Sequence, residues 1–327
     1  MQQRKPRFEP IPQGKYVGHE PHLILLEHIY KHRFIDSRLA ELLLQGLLKR
    51  DAVIRNLNTL FHEGYITRPP SQIKYYQRGG GSRPLISGLA KKGAKLLERH
   101  LGHRISHLEW NGDKNATSDT HIQHTLGIAR FMILLELSCR QHNVRIIEPE
   151  EILTQASSEV RFKKFPFQWT VQYEGQMVGV SPDKVFGLHY LDEPEGKNKA
   201  YFFLENDEGG MPLKRSDFRQ TSYYRKFITY YETWRQGLHT ELFGIKNFRM
   251  LTATTTRDGA DVRQRIDHMI ELQRELTGGS KMFLFLDKAS VYLNETVEEG
   301  KPKLTYPDIL TLPWRNGKDD TLIRLLD

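Results

Sequence analysis

Apolar residues recur at the three-to-four-residue spacing of amphipathic helices three times in the first third of the chain. This spacing predicts helices over residues 21–34, after the capping residue Asp36, and over residues 49–64, with the second helix stopped at Gly46. A β-prone run begins at Tyr65. The apolar face of the third helix comprises Val53, Leu57, Leu60 and Phe61. Three short helices followed by a hairpin are typical of a winged helix-turn-helix, whose third helix enters the major groove of DNA.

Two strongly β-prone runs lie in the middle of the chain. Residues 177–190 are strand-like but are interrupted by Pro182, which lacks an N–H donor and predicts a bend or bulge just before Asp183. Residues 201–207 begin apolar on both faces and end in acids, which is typical of a buried strand that finishes at a cleft. Alternation places on one face of this strand Tyr201, Phe203, Glu205 and Asp207.

Two long helical patterns flank these strands. The first runs from about Asp119 to about Asn143, and its apolar face is expected to pack on the sheet. The second covers residues 216–236, which contain no Gly or Pro. The apolar face of the first helix comprises Leu126, Phe131, Leu134 and Leu135. One face of the second helix is predicted to contain Arg219, Ser222, Tyr223, Lys226 and Tyr230.

These elements predict an α+β protein with two folded parts. We expect a basic flexible arm over residues 1–20, a winged helix-turn-helix domain over 21–101, a polar linker over 102–118, and a mixed β-sheet flanked by helices over 119–327. A length of 327 residues allows about two domains, each with its own core. A hydrophobic content of 38% with 27% charged residues is typical of a soluble, folded chain.

The net charge of +8 is unevenly distributed. Residues 1–118 contain 20 Lys and Arg against 10 Asp and Glu, whereas residues 119–327 contain 28 against 30. A positive excess confined to the first third predicts a nucleic-acid partner for that region. No apolar stretch approaches the ~18 residues that span a bilayer, and the single cysteine, Cys139, excludes an internal disulfide. We therefore expect a cytoplasmic protein.

Basic and amide side chains of the predicted winged helix are the candidates for DNA contacts. They lie on the third helix, in a wing whose glycine-rich tip can approach phosphates closely, and on a basic closing helix over residues 89–101. A winged helix used for protein contact or dimerisation is the alternative, so a homodimer stays open. The predicted DNA-binding residues are Arg50, Arg55, Asn58, Lys74, Arg78, Arg83, Lys91 and Lys92.

Three carboxylates follow the β-prone runs. Asp183 lies just past the predicted bend, and Glu205 and Asp207 end the next strand, so pairing of the two runs would bring Asp183 to Glu205. Such acids, with water, hold hard divalent cations, which activate water and neutralise charge on a phosphate. Lys226 on the following helix can hold the attacking water or the scissile phosphate. The competing interpretation is a polar turn after a strand and an ordinary surface lysine.

These motifs resemble a known group of nucleases. Ser-Pro-Asp at 181–183, FLENDEGG at 203–210 and the pair Lys226 and Tyr230 resemble the core of the PD-(D/E)xK nuclease superfamily. More narrowly, they resemble the replication-relaxation family encoded on plasmids and other mobile elements. Three further segments extend the resemblance, namely HTLGIARF at 124–131, FRMLTATTTRDGADVRQRIDHM at 248–269 and KMFLFLD at 281–287.

The resemblance implies a metal-dependent nuclease site. It implies that Asp183, Glu205 and Asp207 hold Mg²⁺ or Mn²⁺, and that these three acids with Lys226 form the catalytic set. The chain departs from the superfamily pattern at one position, because acid-x-Lys is replaced by Glu205-x-Asp207. Lys226 from the following helix would then supply the lysine, or Asp207 would act as an additional metal ligand.

The sequence therefore predicts a DNA-binding protein of a mobile genetic element with a divalent-metal-dependent endonuclease domain that nicks or cleaves. The alternative is a catalytically inactive accessory factor for plasmid replication, relaxation or transfer, which the Glu-x-Asp departure favours. Such a factor would bind double-stranded DNA and recruit a relaxase, a replication initiator or a transposition protein. A transcriptional regulator with a ligand-sensing second domain is a third interpretation. The sequence predicts no organic cofactor and no membrane partner.

Overall fold

The computed structural model describes residues 8–75, 83–103, 105, 118–257, 260–298 and 301–327. Within them the chain divides into two compact units. The first unit comprises Met1–Ile133 with Glu295–Leu304, and the second comprises Leu134–Asn294 with Thr305–Asp327. Both contain helices and sheets, so the predicted α+β class is confirmed. No described helix is long and apolar enough to cross a membrane.

The first unit surrounds a small antiparallel sheet with helices. Its helices are α1 (Glu20–His32), α2 (Ser37–Leu43), α3 (Arg50–His62) and α4 (Lys91–Leu101). Its strands are β1 (Phe34–Asp36), β2 (Ile66–Thr67) and β3 (Ile86–Leu89), arranged in the order β1-β3-β2. A 3₁₀ helix, Pro70–Tyr75, follows β2. The helices predicted in this region are confirmed, with α2 ending at Leu43, three residues before Gly46.

Local signals explain why these helices begin and pack where they do. The Asp36 carboxylate accepts hydrogen bonds from the backbone N–H groups of Arg38 and Leu39, at 3.0 and 2.9 Å, and so caps α2. The α3 face predicted to be apolar is buried along its length. Its members are Val53, Leu57, Leu60 and Phe61. Burial of this stripe leaves the polar side of α3 facing away from the core.

The helix α5 (Asp119–Cys139) is shared by the two units. Near its beginning, Ile122 and Leu126 pack with Phe34 of β1 and Ile86 of β3 in the first unit. The prediction that Leu126 packs on the large sheet of the second unit is therefore wrong. Amphipathic spacing identifies which side of a helix is buried, but it does not identify the element that packs on that side. A helix as long as α5 can pack against two different elements.

The second unit contains the remaining helices and most of the remaining strands. Its helices are α6 (Pro149–Thr154), α7 (Ser158–Arg161), α8 (Tyr223–Arg235), α9 (Leu238–Phe243) and α10 (Val262–Thr277). The strands that follow β3 are β4 (Val144–Ile147), β5 (Trp169–Tyr173), β6 (Gln176–Val180), β7 (Lys184–Tyr190), β8 (Lys199–Asn206), β9 (Arg249–Thr254), β10 (Phe283–Asp287), β11 (Asn294–Glu298), β12 (Lys301–Thr305) and β13 (Arg315–Asn316).

A mixed sheet forms the centre of the second unit, with the described strands in the order β13-β10-β9-β8-β7-β4. Strands β8, β9 and β10 run parallel, and the other pairs are antiparallel. On β8, Phe203 lies beneath Tyr230 of α8, with ring centroids 5.8 Å apart, whereas Phe202 stacks with Phe186 on the opposite face. The predicted alternation of β8 is confirmed, and it directs Glu205 toward α8.

Pro182 separates two strands that belong to different sheets. Before it, β6 pairs only with β5 among the described strands, and after it, β7 joins the main sheet. The Asp183 N–H donates to Leu204 O at 3.1 Å, although Leu204 already pairs with Lys184. Asp183 is a bend residue just before β7, so the predicted bend or bulge after the proline is present as a bend.

Helix α8 begins later than the sequence predicts. It starts at Tyr223, because the Ser222 hydroxyl caps it by accepting from the Arg225 N–H at 3.3 Å. The Asp217 carboxylate accepts from the Arg219 N–H at 3.0 Å in a local turn. Residues 216–222 are therefore not helical, and Arg219 does not share the α8 face with Lys226. Helix propensity alone does not show that the Ser222 cap and the Asp217 turn prevent a helix over residues 216–222.

Replacing Gly93 of α4 by alanine is expected to lower the free energy of unfolding by about 2 kcal/mol or more. An added Cβ would lie 2.2 Å from the carbonyl oxygen of Tyr65 and 3.1 Å from Leu26, so the close packing of α4 would have to open. In an unconstrained helix the same change would stabilise by about 1 kcal/mol. Urea unfolding of Gly93→Ala against Lys95→Ala, an exposed position on the same helix, tests this; equal stabilities would contradict it.

Candidate functional site

A buried carboxylate at the end of β8 is held by two residues of α8. The Glu205 side chain is 1% exposed, and its Oε2 forms an ion pair with the Lys226 ammonium. Its Oε1 accepts a hydrogen bond from the Tyr230 hydroxyl at 2.5 Å. Lys226 and Tyr230 are four residues apart and thus adjacent on one helix face, so α8 presents both donors to one carboxylate. The predicted proximity of Lys226 to the acids is confirmed.

Asp183 reaches the same end of the sheet from the bend before β7. Its Oδ2 accepts a hydrogen bond from the Asn206 N–H at 2.8 Å, which links it to the residue after Glu205. The Asp183 charge also acts on Glu205, where it favours protonation. The pairing of the two β-prone runs therefore brings Asp183 and Glu205 together, as the sequence predicts.

Burial sets the protonation behaviour of this cluster. Removal from water raises the pKa of Glu205 to about 7, with Asp183 adding to the rise and Lys226 and Tyr230 opposing it. Burial acts to lower the pKa of Lys226, but the charges of Glu205 and Asp183 outweigh it and the pKa is raised. The pKa of the Tyr230 phenol is raised by burial and by Glu205, so it stays protonated and donates. A carboxyl that titrates near neutral pH is typical of a functional site.

Asp207 has a different partner. Its Oδ2 accepts hydrogen bonds from Arg265 of α10 at 2.7 Å and from the Thr254 hydroxyl at 2.6 Å. Ligand oxygens of Asp183, Glu205 and Asp207 do not all come within 4.8 Å of one another in the described structure. The three predicted metal ligands therefore form a pair, Asp183 and Glu205, with Asp207 turned toward α10. The sequence did not identify Arg265 as its partner, because the two residues are far apart in the chain.

The donor set beside Glu205 fits a hard divalent cation. Glu205 pairs in register with Thr252 on the parallel strand β9, so their side chains lie side by side on one face. The Thr252 hydroxyl is buried and has no hydrogen-bond partner among the described residues. Two carboxylates and an unpartnered hydroxyl are the oxygen donors that Mg²⁺ or Mn²⁺ prefers. Thr252 was not among the predicted site residues, although it pairs in register with Glu205 on the neighbouring strand.

A small cavity opens over the carboxylate–lysine pair. It has a volume of about 180 Å³ and contains Glu205 and Lys226 in its wall. The lining also includes Ser181, next to Pro182, and Arg225, which precedes Lys226 on α8. The other lining residues are Gly179, Val180, Thr221, Thr229 and Tyr230. The carboxylate–lysine pair therefore borders a cavity to which Arg225 adds a second cationic side chain.

The first unit carries a larger groove of about 720 Å³ along α3. Arg55 is exposed on α3, and among the residues that the structure describes no acid or carbonyl binds it. Asn58, one turn further on, accepts a hydrogen bond from Arg68 at 2.6 Å, and Arg68 in turn lies over the Phe61 ring. The basic residues lining the groove are Lys15, Arg38, Arg50, Arg55, Arg68 and Arg83. A groove with this lining suits a polyanion.

The remaining predicted DNA contacts differ in their surroundings. Arg50, at the beginning of α3, lies 3.5 Å from Glu41 and 3.4 Å from Glu295 and is thus partly neutralised. On α4, Lys92 donates to Glu63 O at 2.8 Å, and Lys91 is exposed. Arg83 lines the groove. Lys74 falls in the 3₁₀ helix with its side chain outside the described part, and Arg78 lies outside the described residues altogether.

The segment before α1 lies against the end of α3. The Glu63 carboxylate accepts from the backbone N–H groups of Gln13 and Lys15, at 2.7 and 3.1 Å. The His62 ring accepts from the Ile11 N–H at 3.1 Å. Sequence analysis interprets this segment as part of a flexible arm and does not identify Glu63. These bonds bring Lys15 to the groove that contains Arg55.

The second unit is thus a mixed α/β domain with a buried carboxylate–lysine pair at the end of a central strand. Residues 26–244 match the family model described as replication-relaxation, and since this range is most of the chain, the chain belongs to the replication-relaxation family. The matched range contains every predicted site residue, and the predicted family is confirmed. No curated protein is significantly similar to the chain in sequence.

A solved structure with weak similarity to this chain is that of restriction endonuclease FokI. It shares 9% sequence identity with this chain, and the match covers 82% of this chain and 41% of that one, with a TM-score of 0.25. This chain therefore spans about two fifths of the FokI chain. Likeness at this TM-score supports no conclusion about fold or activity.

Replacing Lys226 by methionine is expected to lower the free energy of unfolding by about 2–4 kcal/mol at pH 8, because it leaves a buried carboxylate without its cation. The cost is expected to shrink toward pH 5.5, where protonation neutralises Glu205. The sign follows from its pKa, which in the folded state is raised above 4.5, so Glu205 subtracts stability as pH rises. Urea unfolding at both pH values measures it. A Glu205→Gln/Lys226→Met control should remove the pH dependence, and a pH-independent cost would contradict the assignment.

Proposed function

We propose that this protein binds double-stranded DNA and cuts one or both strands with a divalent-metal-dependent site, in the replication or relaxation of a mobile genetic element. The family to which the chain belongs supports the biological setting. The observation that carries the cutting activity is the convergence of Asp183, Glu205 and Lys226 at one end of the β7–β8 pair. We propose that the first unit is a winged helix that positions the DNA.

Each residue of the cluster has a distinct role in this proposal. Asp183 and Glu205, with the Thr252 hydroxyl beside them, would hold Mg²⁺ or Mn²⁺, which when bound activates water and neutralises charge on a phosphate. Lys226 lines the cavity and would place its ammonium against a non-bridging phosphate oxygen or the attacking water. Tyr230 donates to Glu205 Oε1 and so orients the carboxylate.

The position of Asp207 supports a revised ligand set. Its Oδ2 is engaged by Arg265 and Thr254, so we propose that Asp207 anchors α10 to the end of β8 rather than binding the metal. Lys226 then replaces the lysine that the superfamily pattern places two residues after Glu205. The Asp207–Arg265 pair would act through the placement of β8, as a positioning pair.

The same Asp207–Arg265 pair favours a second candidate function. A strand position that usually carries a catalytic lysine is occupied here by a structural acid, which suits a domain that has kept the fold without the reaction. In that case the protein would be a DNA-binding accessory factor that recruits a relaxase, a replication initiator or a transposition protein. Both candidate functions require the groove along α3, and they differ in whether the wild-type protein cuts.

Incubation of the full chain with supercoiled plasmid and Mg²⁺ or Mn²⁺ is expected to produce nicked or linear DNA. The Asp183→Asn/Glu205→Gln variant should lose cutting by about a hundredfold or more, because it lacks both carboxylates that hold the ion. Gel electrophoresis measures the products, with an Asp192→Asn variant as a surface-acid control. Cutting by the double variant at the wild-type rate would refute the site. Absence of cutting by wild type, with duplex binding retained, would favour the accessory factor.

Replacing Arg55 by alanine is expected to weaken binding to duplex DNA and to reduce the slope of log K against log salt by about 0.9 for each lost phosphate contact. Arg50→Ala is the matched control on the same helix, and a smaller loss is expected because Glu41 and Glu295 already neutralise Arg50. Fluorescence anisotropy across a salt series measures both. An unchanged slope for Arg55→Ala would argue against α3 as the DNA-contacting helix.

A further inference from the structure

Two phenylalanines of the second unit are exposed on one short segment. Phe162 is 84% exposed and Phe165 is 57% exposed, with Lys163 and Lys164 between them. We call residues 162–165 the aromatic–basic segment. Large apolar side chains are usually buried, and an exposed aromatic pair in a polar setting is typical of an interaction surface.

The segment is held firmly at both ends, so its outward aromatics are not the result of a loose loop. Val160 before it is buried, and Phe167 after it packs on Phe243 with ring centroids 5.5 Å apart. The Arg161 guanidinium donates to the carbonyl oxygens of Thr154 and Ala156, at 2.8 and 3.0 Å. Val160 and Phe167 therefore anchor the segment through buried contacts, and the exposed Phe162 and Phe165 lie between these two anchors.

The aromatic–basic segment lies beside the cavity that contains Glu205 and Lys226. The Gln168 N–H donates to Phe165 O at 3.2 Å, and the Gln168 side chain donates to the Ser181 hydroxyl at 3.4 Å. Ser181 is part of the cavity lining. Phe165 is three residues from Gln168, which limits their separation to about 11 Å even in extended chain.

Further cationic side chains lie on the loop before α8 and in the first turn of α8. Lys214, Arg215 and Arg219 are exposed on the loop before α8, and Arg225 lines the cavity. The loop is ordered by ring contacts of Phe218 with Tyr173 and Tyr224. The second unit is close to neutral as a whole, but the wall of the cavity contains both Arg225 and Lys226. Two cations there suit a phosphate backbone that passes over the cavity.

We propose that the aromatic–basic segment binds unpaired nucleotides of single-stranded DNA, with Phe162 and Phe165 stacking on bases and the neighbouring lysines contacting phosphates. Bases of a duplex are stacked on one another and offer no free face, whereas each base of a single strand offers one. Lys163 is ion-paired with Glu159 at 2.7 Å, whereas the Lys164 ammonium lies 5.5 Å from the Phe165 ring. A cation beside an exposed aromatic ring favours a nucleic acid over an apolar protein partner. This deepens the proposed function and rests on it for the role of the cavity: the strand that reaches Glu205 would be unpaired.

The test measures binding by the full chain in EDTA, so that cutting plays no part. Fluorescence anisotropy compares an oligo-dT of about twenty nucleotides, an abasic oligomer of equal length and charge, and a duplex. Wild type is expected to prefer oligo-dT over the abasic strand by about tenfold or more. Phe162→Ala/Phe165→Ala should abolish that preference and leave duplex binding unchanged, while Phe162→Tyr/Phe165→Tyr should retain it.

A matched control removes an exposed apolar side chain elsewhere. Leu191 is 50% exposed at the far end of β7, about 25 Å along the strand from Asp183, and Leu191→Ala should bind like wild type. Equal affinity of wild type for the abasic strand and oligo-dT would overturn the proposal, as would an unchanged preference in the double alanine variant. If the double alanine variant lost binding to anionic vesicles but kept its binding to oligo-dT, the proposal would be overturned in favour of a membrane contact.

The outcome is separable from that of the cleavage assay. The preference for oligo-dT is measured on the wild-type chain in EDTA, where no cutting takes place, so its result does not depend on the metal site. A preference for oligo-dT without plasmid cutting would leave this inference standing and remove the nuclease proposal. Plasmid cutting without a base-dependent preference would support the nuclease proposal and overturn this inference.

Discussion

The second unit depends on satisfying one buried carboxylate at the end of a central strand. Glu205 is on a central strand, where an unpaired charge would cost several kcal/mol. Helix α8 supplies both partners, Lys226 and Tyr230, one turn apart. For both to reach Glu205, α8 must begin near Ser222 and cross β8 at a defined height. The aromatic contact of Phe203 with Tyr230 stabilises the same alignment two residues earlier on the same face of β8. The need to pair the buried Glu205 carboxylate thus fixes where α8 lies relative to the end of β8, and with it the cavity that these residues line.

Two acids that are almost adjacent in sequence have different structural roles. Glu205 lies in β8 under α8, whereas Asp207 directly follows β8 and is bound by Arg265 of α10. Each helix is therefore attached to the strand end by its own ion pair. Lys226, the cation paired with Glu205, comes from a helix rather than from the strand, whereas Asp207 is paired with Arg265.

Charge is arranged differently in the two units. In the first unit six basic residues line one groove, and neighbouring groups distinguish them: acids partly neutralise Arg50, Arg68 holds Asn58, and Arg55 stays available. In the second unit the net charge is close to zero, but two cationic side chains, Arg225 and Lys226, line the same small cavity. Total charge is therefore a poor guide to where a polyanion would bind, since local clustering determines the field at a surface.

The sequence by itself determined the local elements: the buried stripe of α3, the alternation of β8, the break at Pro182 and the presence of acids at a strand end. These follow from side-chain periodicity and from the missing N–H of proline, which are properties of neighbouring residues. Only the tertiary structure decided that Leu126 packs in the first unit, that Ser222 begins α8, and that Arg265 and Thr252 join the acids. Strand order and helix docking decide these contacts, which join residues distant in the chain, and no local pattern specifies such pairings.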